Sequence, residues 1–234
     1  MSSETPATPP PAGSPTGEPP ISPLEARVLG CLIEKELTTP DVYPLTLNAL
    51  VNACNQRNNR APVLAASPRE VELATEQLRL KRFVALFAGA DARVPKFKQT
   101  IDLVYPLETA ARALLGELML RGAQTTAELR ARAERMHPLA DAAEVEALLA
   151  AMASRPAGPL VRRLARQPGQ KEARWVQLLT GEPSAAEVGG ASAEPLTVTV
   201  ALPPEVDRRL AALETEVAQL RAELARLRQA LGES

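Results

Sequence analysis

Apolar positions recur in two matching series along this 234-residue chain. Leu24, Val28, Leu29, Leu32 and Ile33 keep the spacing of a single buried helical face, and LEARVLGCLIEK from Leu24 is answered by LETAARALLGEL from Leu107. REVELATEQLRLKRFVALF from Arg69 is answered in the same way by AEVEALLAAMASRPAGPLV from Ala143. Ser22-Pro23 with Glu25 predicts a capped helix running to about Glu36. After Thr38-Thr39-Pro40 a second helix is predicted over Thr46–Asn55, burying Leu47, Leu50 and Val51. The polar stretch NQRNNRAP reads as a loop, and Ser67-Pro68 opens a third helix to about Arg82 with Val71, Ala74 and Leu78 inward.

Alternation over Phe83–Phe87 and Arg93–Ile101, around Gly89, Ala90 and Asp91, predicts a β-hairpin. The second series predicts helices over 107–120, 125–136 and 139–154, then strands over 160–165 and 174–179 around Pro168-Gly169. Three helices followed by a hairpin, twice, describe a mainly α fold with small β-hairpin wings: tandem winged helix-turn-helix domains. The expected boundaries are 22–102 and 103–180, preceded by a disordered Pro-rich tail over 1–21 and followed by a linker over 181–203.

A different period closes the chain. Val206, Leu210, Leu213, Val217, Leu220, Leu224, Leu227 and Leu231 are spaced 4, 3, 4, 3, 4, 3, 4, a heptad seam that predicts a coiled-coil helix over 204–231. A parallel dimer sets Arg209 against Glu214, Glu216 against Arg221 and Glu223 against Arg228, all opposite in sign. An antiparallel pairing would juxtapose like charges, so a parallel homodimer is expected; the alternative is a helix packed on its own chain.

Composition narrows the function. Aromatics are 3% of the chain, too few to line a stacking platform for single strands. There is no apolar run near the ~20 residues of a membrane span and no signal peptide, which leads to the expectation of a cytoplasmic protein with no membrane partner. The single His137, with Cys31 and Cys54, lacks the spacing of a metal site. No Gly-rich phosphate loop, Ser-His-Asp order or paired-carboxylate pocket is recognisable, so neither an enzyme nor a cofactor is expected.

The net charge of -1 conceals a division: residues 22–100 carry +3 and residues 101–180 carry +2, while the two tails are acidic. The first recognition-position helix exposes Arg69 but also Glu70, Glu72 and Glu76 near its start, and the second exposes Asp141, Glu144 and Glu146 with no base before Arg155, which disfavours a major-groove reader in the second repeat. The positive charge lies beside them. Arg57, Asn58, Asn59 and Arg60 in the loop, Arg79, Lys81 and Arg82 at the end of helix three, and Arg93, Lys96 and Lys98 on the wing form the candidate nucleic-acid-binding set. In the second repeat Arg162, Arg163, Arg166, Lys171 and Arg174 mark the hairpin.

The strings LEARVLGCLIEKELTTPDVYPLTLNALVNACNQRNNRAPV, LRGAQTTAELRARAERMH and LVRRLARQPGQKEARW resemble the bacterial YceH-like family over residues 22–179. The resemblance implies tandem winged-helix domains and nothing about activity. The expectation is a non-enzymatic, DNA-associated protein of the transcriptional-regulator kind that contacts phosphates of double-stranded DNA through repeat one. The alternative is a protein-interaction scaffold similar to the winged-helix subunit of bacterial condensin, with a protein partner in place of DNA.

Overall fold

The computed structural model describes residues 21–87, 94–166 and 170–183. The Pro-rich leader, the hairpin turn with Arg93, the turn at Pro168-Gly169, most of the linker and the whole heptad seam lie outside the described residues.

The first half runs α1 (Pro23–Thr38), a 3-10 turn (Pro40–Val42), β1 (Leu45–Thr46), α2 (Leu47–Cys54), α3 (Pro68–Leu80), β2 (Val84–Phe87) and β3 (Lys96–Gln99). A short α4 (Ile101–Val104) leads to the second half: α5 (Thr109–Arg121), α6 (Thr126–Ala133), α7 (Ala142–Ala153), β4 (Val161–Arg163) and β5 (Trp175–Gln177). The described chain is therefore mainly helical with small antiparallel sheets. Helix starts are fixed by side-chain caps: Ser22, Ser67 and Thr125 form capping boxes with Glu25, Glu70 and Glu128, and Asp141 accepts from the Glu144 amide. α1 stops ahead of Pro40, where the Thr38 and Thr39 hydroxyls donate to the carbonyls of Glu34 and Lys35.

β3 is the centre of a three-stranded sheet in the order β1-β3-β2, with Leu45 opposite Phe97, and Phe87 and Thr46 both opposite Lys96. The two-residue β1 was not expected from the sequence. In the second half β4 pairs with β5, and β1's counterpart is a single bridge between Gln124 and Trp175.

Every residue of α1 from Leu24 to Glu34 is buried, which corrects the single-face reading of that helix. The reason is α5, equally buried from Ala113 to Leu120, which lies along the side of α1 that its own repeat leaves bare. The contact is close because it is built on glycine. A Cβ on Gly30 would stand 3.0 Å from the Met119 Cβ, and one on Gly116 would stand 3.0 Å from the Ile33 Cγ2. These contacts are reciprocal, since Gly30-Cys31-Leu32-Ile33 in α1 matches Gly116-Glu117-Leu118-Met119 in α5. The two helices thus correspond with an offset of 86, three more than the match of Leu24 to Leu107. The halves share one hydrophobic core, and Ile21 at its entrance donates to the Leu179 carbonyl at its exit.

Replacing a helical glycine by alanine ordinarily stabilises by up to ~1 kcal/mol. Here the new methyl meets a Cβ that cannot move without its backbone, and overpacking costs about 1–3 kcal/mol. Gly30→Ala is therefore expected to lower the urea midpoint. Gly116→Ala should do the same, but be tolerated in an Ile33→Ala background, where its obstacle is gone. A raised midpoint for Gly30→Ala would show that the crossing is not limiting.

Candidate nucleic-acid interface

The ten residues singled out as nucleic-acid contacts separate into distinct environments. Arg57, Asn58, Arg82 and Lys98 are exposed and Lys96 is half-buried; among the described residues none of these four cations is ion-paired. Arg79 is held by Glu76 at 2.7 Å and Lys81 by Glu25 at 2.5 Å. Asn59 sits at φ 58° and accepts from Arg121 at 2.7 Å, bracing the loop against α5. Arg93 lies outside the described residues. Asn55 is spent on the Ala66 backbone, donating to its carbonyl and accepting from its amide, both at 2.8 Å.

Arg60 is the correction. It is 5% exposed, and a phosphate cannot reach a guanidinium whose nitrogens are all engaged. Nη1 and Nη2 donate to Glu34 at 3.2 and 2.6 Å, Nε to the Ala53 carbonyl at 3.1 Å, and Nη2 also to Gln56 at 2.9 Å and to Cys31 Sγ at 3.4 Å. This is the heart of a polar junction between the repeats. Arg135, just beyond α6, donates to Glu34 and, at 2.9 Å, to Glu117 of α5, which Arg121 flanks at 3.1 Å. Arg27 crosses the same seam to the Leu120 carbonyl at 3.5 Å while donating within its own repeat to the carbonyls of Cys54 at 3.2 Å and Pro62 at 2.8 Å.

The two buried carboxylates differ in balance. Burial pushes Glu34 up, but the hydrogen bonds and charge of Arg60, with Arg135 and Lys35, outweigh it and hold the carboxyl below its ordinary range. Burial pushes Glu117 up and Arg135 and Arg121 only partly offset it, so it stays above that range. Burial likewise opposes the Cys31 thiolate, yet the Cys54 thiol and Arg60 bring its pKa down, while Cys54 is raised by hydrogen bonding to Cys31 and by burial. The junction had a signal in the sequence: Glu34 and Glu117 are acids inside apolar helical runs, and such a group needs a countercharge.

In the second hairpin the two cations of the strands are paired, while Arg166, Lys171 and Arg174 beyond the strands are in no ion pair among the described residues. Arg162 is paired with Glu182, and Arg163 reaches Glu146 at 3.3 Å while lying over Trp175. Glu146 also accepts from Thr126 and from the Trp175 indole, so it belongs to the hairpin's support and not to a free acidic face. On the first hairpin Lys96 and Lys98 share one face of the sheet with Thr46, Ala85 and Phe87. Among the described residues there is no group of three His, Cys, Asp or Glu placed to hold a metal, and no helix long and apolar enough to cross a membrane.

Glu34→Gln should cost about 3–5 kcal/mol at pH 7, because it leaves Arg60 buried without a carboxylate. Glu117→Gln should change stability by less than ~1 kcal/mol, since the burial cost it relieves offsets the ion pairs it loses. The pH signs are opposite. Glu34, depressed when folded, stabilises fully above its unfolded pKa of about 4.3 and loses this as pH falls through the folded value. Glu117, raised when folded, stabilises below the unfolded pKa and loses this as pH rises through the folded one. Urea unfolding at pH 7 and at pH 4 checks both: the Glu34→Gln deficit should shrink in acid, and equal losses for the two variants would contradict the assignment.

The family profile described as a protein of unknown function, DUF480, matches residues 21–170, which hold the first repeat and the second as far as β4. The chain is 50% identical to a UPF0502 protein of Geobacter sulfurreducens over 86% of this chain and 90% of the relative. It is 43% identical to a UPF0502 protein of Cronobacter sakazakii and 42% identical to the UPF0502 protein YceH of Salmonella paratyphi C, each over 91% of this chain and 98% of the relative. With the matched segment beginning at the Ile21 that closes the core and running through both hairpins' first strands, the chain belongs to the DUF480, or UPF0502, family.

Proposed function

We propose that this protein is a non-enzymatic, DNA-associated protein built of two winged-helix repeats, and that it grips duplex phosphates with the first repeat only. The order helix, short strand, helix, helix, hairpin supports the winged-helix assignment in the first half, and the same order with the single Gln124–Trp175 bridge in place of the short strand supports it in the second. The observation that carries the binding reading is the asymmetry between the hairpins' strands: Lys96 and Lys98 stand together on one sheet face in no ion pair among the described residues, whereas Arg162 and Arg163 of β4 are paired with Glu182 and Glu146. Arg57 and Asn58 on the exposed loop and Arg82 at the base of the hairpin supply further cationic and polar contacts. Arg60 acts one step back, holding that loop in place.

The helices at the recognition position do not read bases in this account. Glu70 caps its own helix and Arg69 and Arg79 are tied to Glu72 and Glu76, so the surface of α3 is self-neutralised. A parallel pairing of the C-terminal heptads would give a dimer with two such cationic hairpins, and so a steeper salt dependence than one copy alone. The acidic, capped start of α7 favours a second reading, in which the second repeat holds a protein partner as a scaffold.

Retention on duplex DNA should fall steeply between 50 and 200 mM salt. Lys96→Gln with Lys98→Gln should reduce the logarithmic salt slope by about 2 per chain, and Arg79→Gln should leave it unchanged. Absence of salt-sensitive binding to any duplex at low ionic strength, with recovery of one stoichiometric protein partner, would overturn the reading in favour of the scaffold.

A further inference from the structure

We propose that Phe87 is an apolar wedge that enters the duplex between base steps while Lys96 and Lys98 hold the flanking backbone; this rests on the DNA reading above. The chain has three phenylalanines. Phe83 and Phe97 are 4% and 6% exposed and build the core, but Phe87 is 45% exposed at the end of the edge strand β2. Its placement follows from the register. Phe87 lies opposite Lys96 and Ala85 opposite Lys98, so ring and lysines leave the same face, while Val84, Phe97 and Leu45 point inward beneath them.

A core role for Phe87 is excluded by that face, whose other strand residues are Thr46, Ala85, Lys96 and Lys98. None is acidic and only Ala85 is apolar, and it is too small to pack a ring. What fits an exposed aromatic ring ~5 Å from a lysine backbone is a ligand offering anions and flat apolar surfaces at short spacing. Duplex DNA does so: phosphates neutralise the lysines, and a wedged side chain partly unstacks the adjacent base step and bends the helix. Val94 at 52% exposure adds a further apolar side chain at the same end of the hairpin. An acidic protein surface would satisfy the lysines but gives the ring no slot between stacked planes.

The test uses the full chain, a duplex carrying 2-aminopurine at a flexible pyrimidine–purine step, and end-labelled duplexes for bending. Wild type should brighten the 2-aminopurine and shorten the end-to-end distance. Phe87→Ala should abolish both and weaken binding roughly tenfold at fixed salt, with the salt slope unchanged because no phosphate contact is lost. Phe87→Leu, which keeps an apolar wedge, should restore part of the signal, and an unchanged urea midpoint for each variant excludes misfolding. Lys96→Gln with Lys98→Gln should do the converse and lower the slope. If wild type binds with a steep salt slope but Phe87→Ala matches it in affinity, brightening and bending, the wedge is overturned and the phosphate grip stands. If wild type binds no duplex, both fall.

Discussion

The rest of this structure depends on how closely α1 and α5 cross. Gly30 and Gly116 each leave out the side chain that would collide with the other helix, and each receives the residue that follows its counterpart by three, Met119 or Ile33. Close approach leaves both helices buried along most of their length and turns two repeats, each with a bare helix flank, into one core. The same crossing sets the reach of other groups. The Ala61 amide finds the Leu120 carbonyl, Arg121 finds Asn59, and Arg135 finds Glu34 across 101 residues of chain.

Burying carboxylates in that seam is costly, and the structure meets the cost unevenly. Glu34 has the fork of Arg60 on both oxygens and Arg135 on one, an arrangement that more than compensates for desolvation. Glu117 has Arg135 and the side of Arg121, and remains undercompensated. A network of this kind adds less to stability than apolar packing of the same volume would, but it accepts a single relative placement of α1, α5 and the loop over 56–60. We attribute the position of Arg57 and Asn58, three and two residues before Arg60, to it.

Local structure was legible because its causes are local. Ser22-Pro23 and Ser67-Pro68 start helices where the capping rule puts them, and the alternation around the first hairpin gives strands that pair with Phe87 opposite Lys96. What the sequence hid is the second partner of each element. Periodicity marks one apolar face of α1, whereas the approach to α5 is made by Gly30, which reads as a filler, and by Ile33, which reads as part of that same face. Aligning Leu24 with Leu107 sets the register of the duplication three residues short, because the two look alike in sequence although Leu24 is in α1 and Leu107 precedes α5. Arg60 reads as a surface group because NQRNNRAP is polar almost throughout; only the buried Glu34 on α1 distinguishes it from Arg57.

A shared core and a polar seam fix two hairpins: in one the strand cations Arg162 and Arg163 are paired with acids, and in the other the strand lysines are in no ion pair among the described residues and stand beside an exposed ring. The account therefore stands on the two repeats being one cooperative unit. Native-state hydrogen exchange of the full chain in rising denaturant measures this directly. The amides of α1 and α5 should open together, with the same free energy and the same denaturant dependence. Exchange of α5 through a separate, less stable opening while α1 stays protected would contradict it.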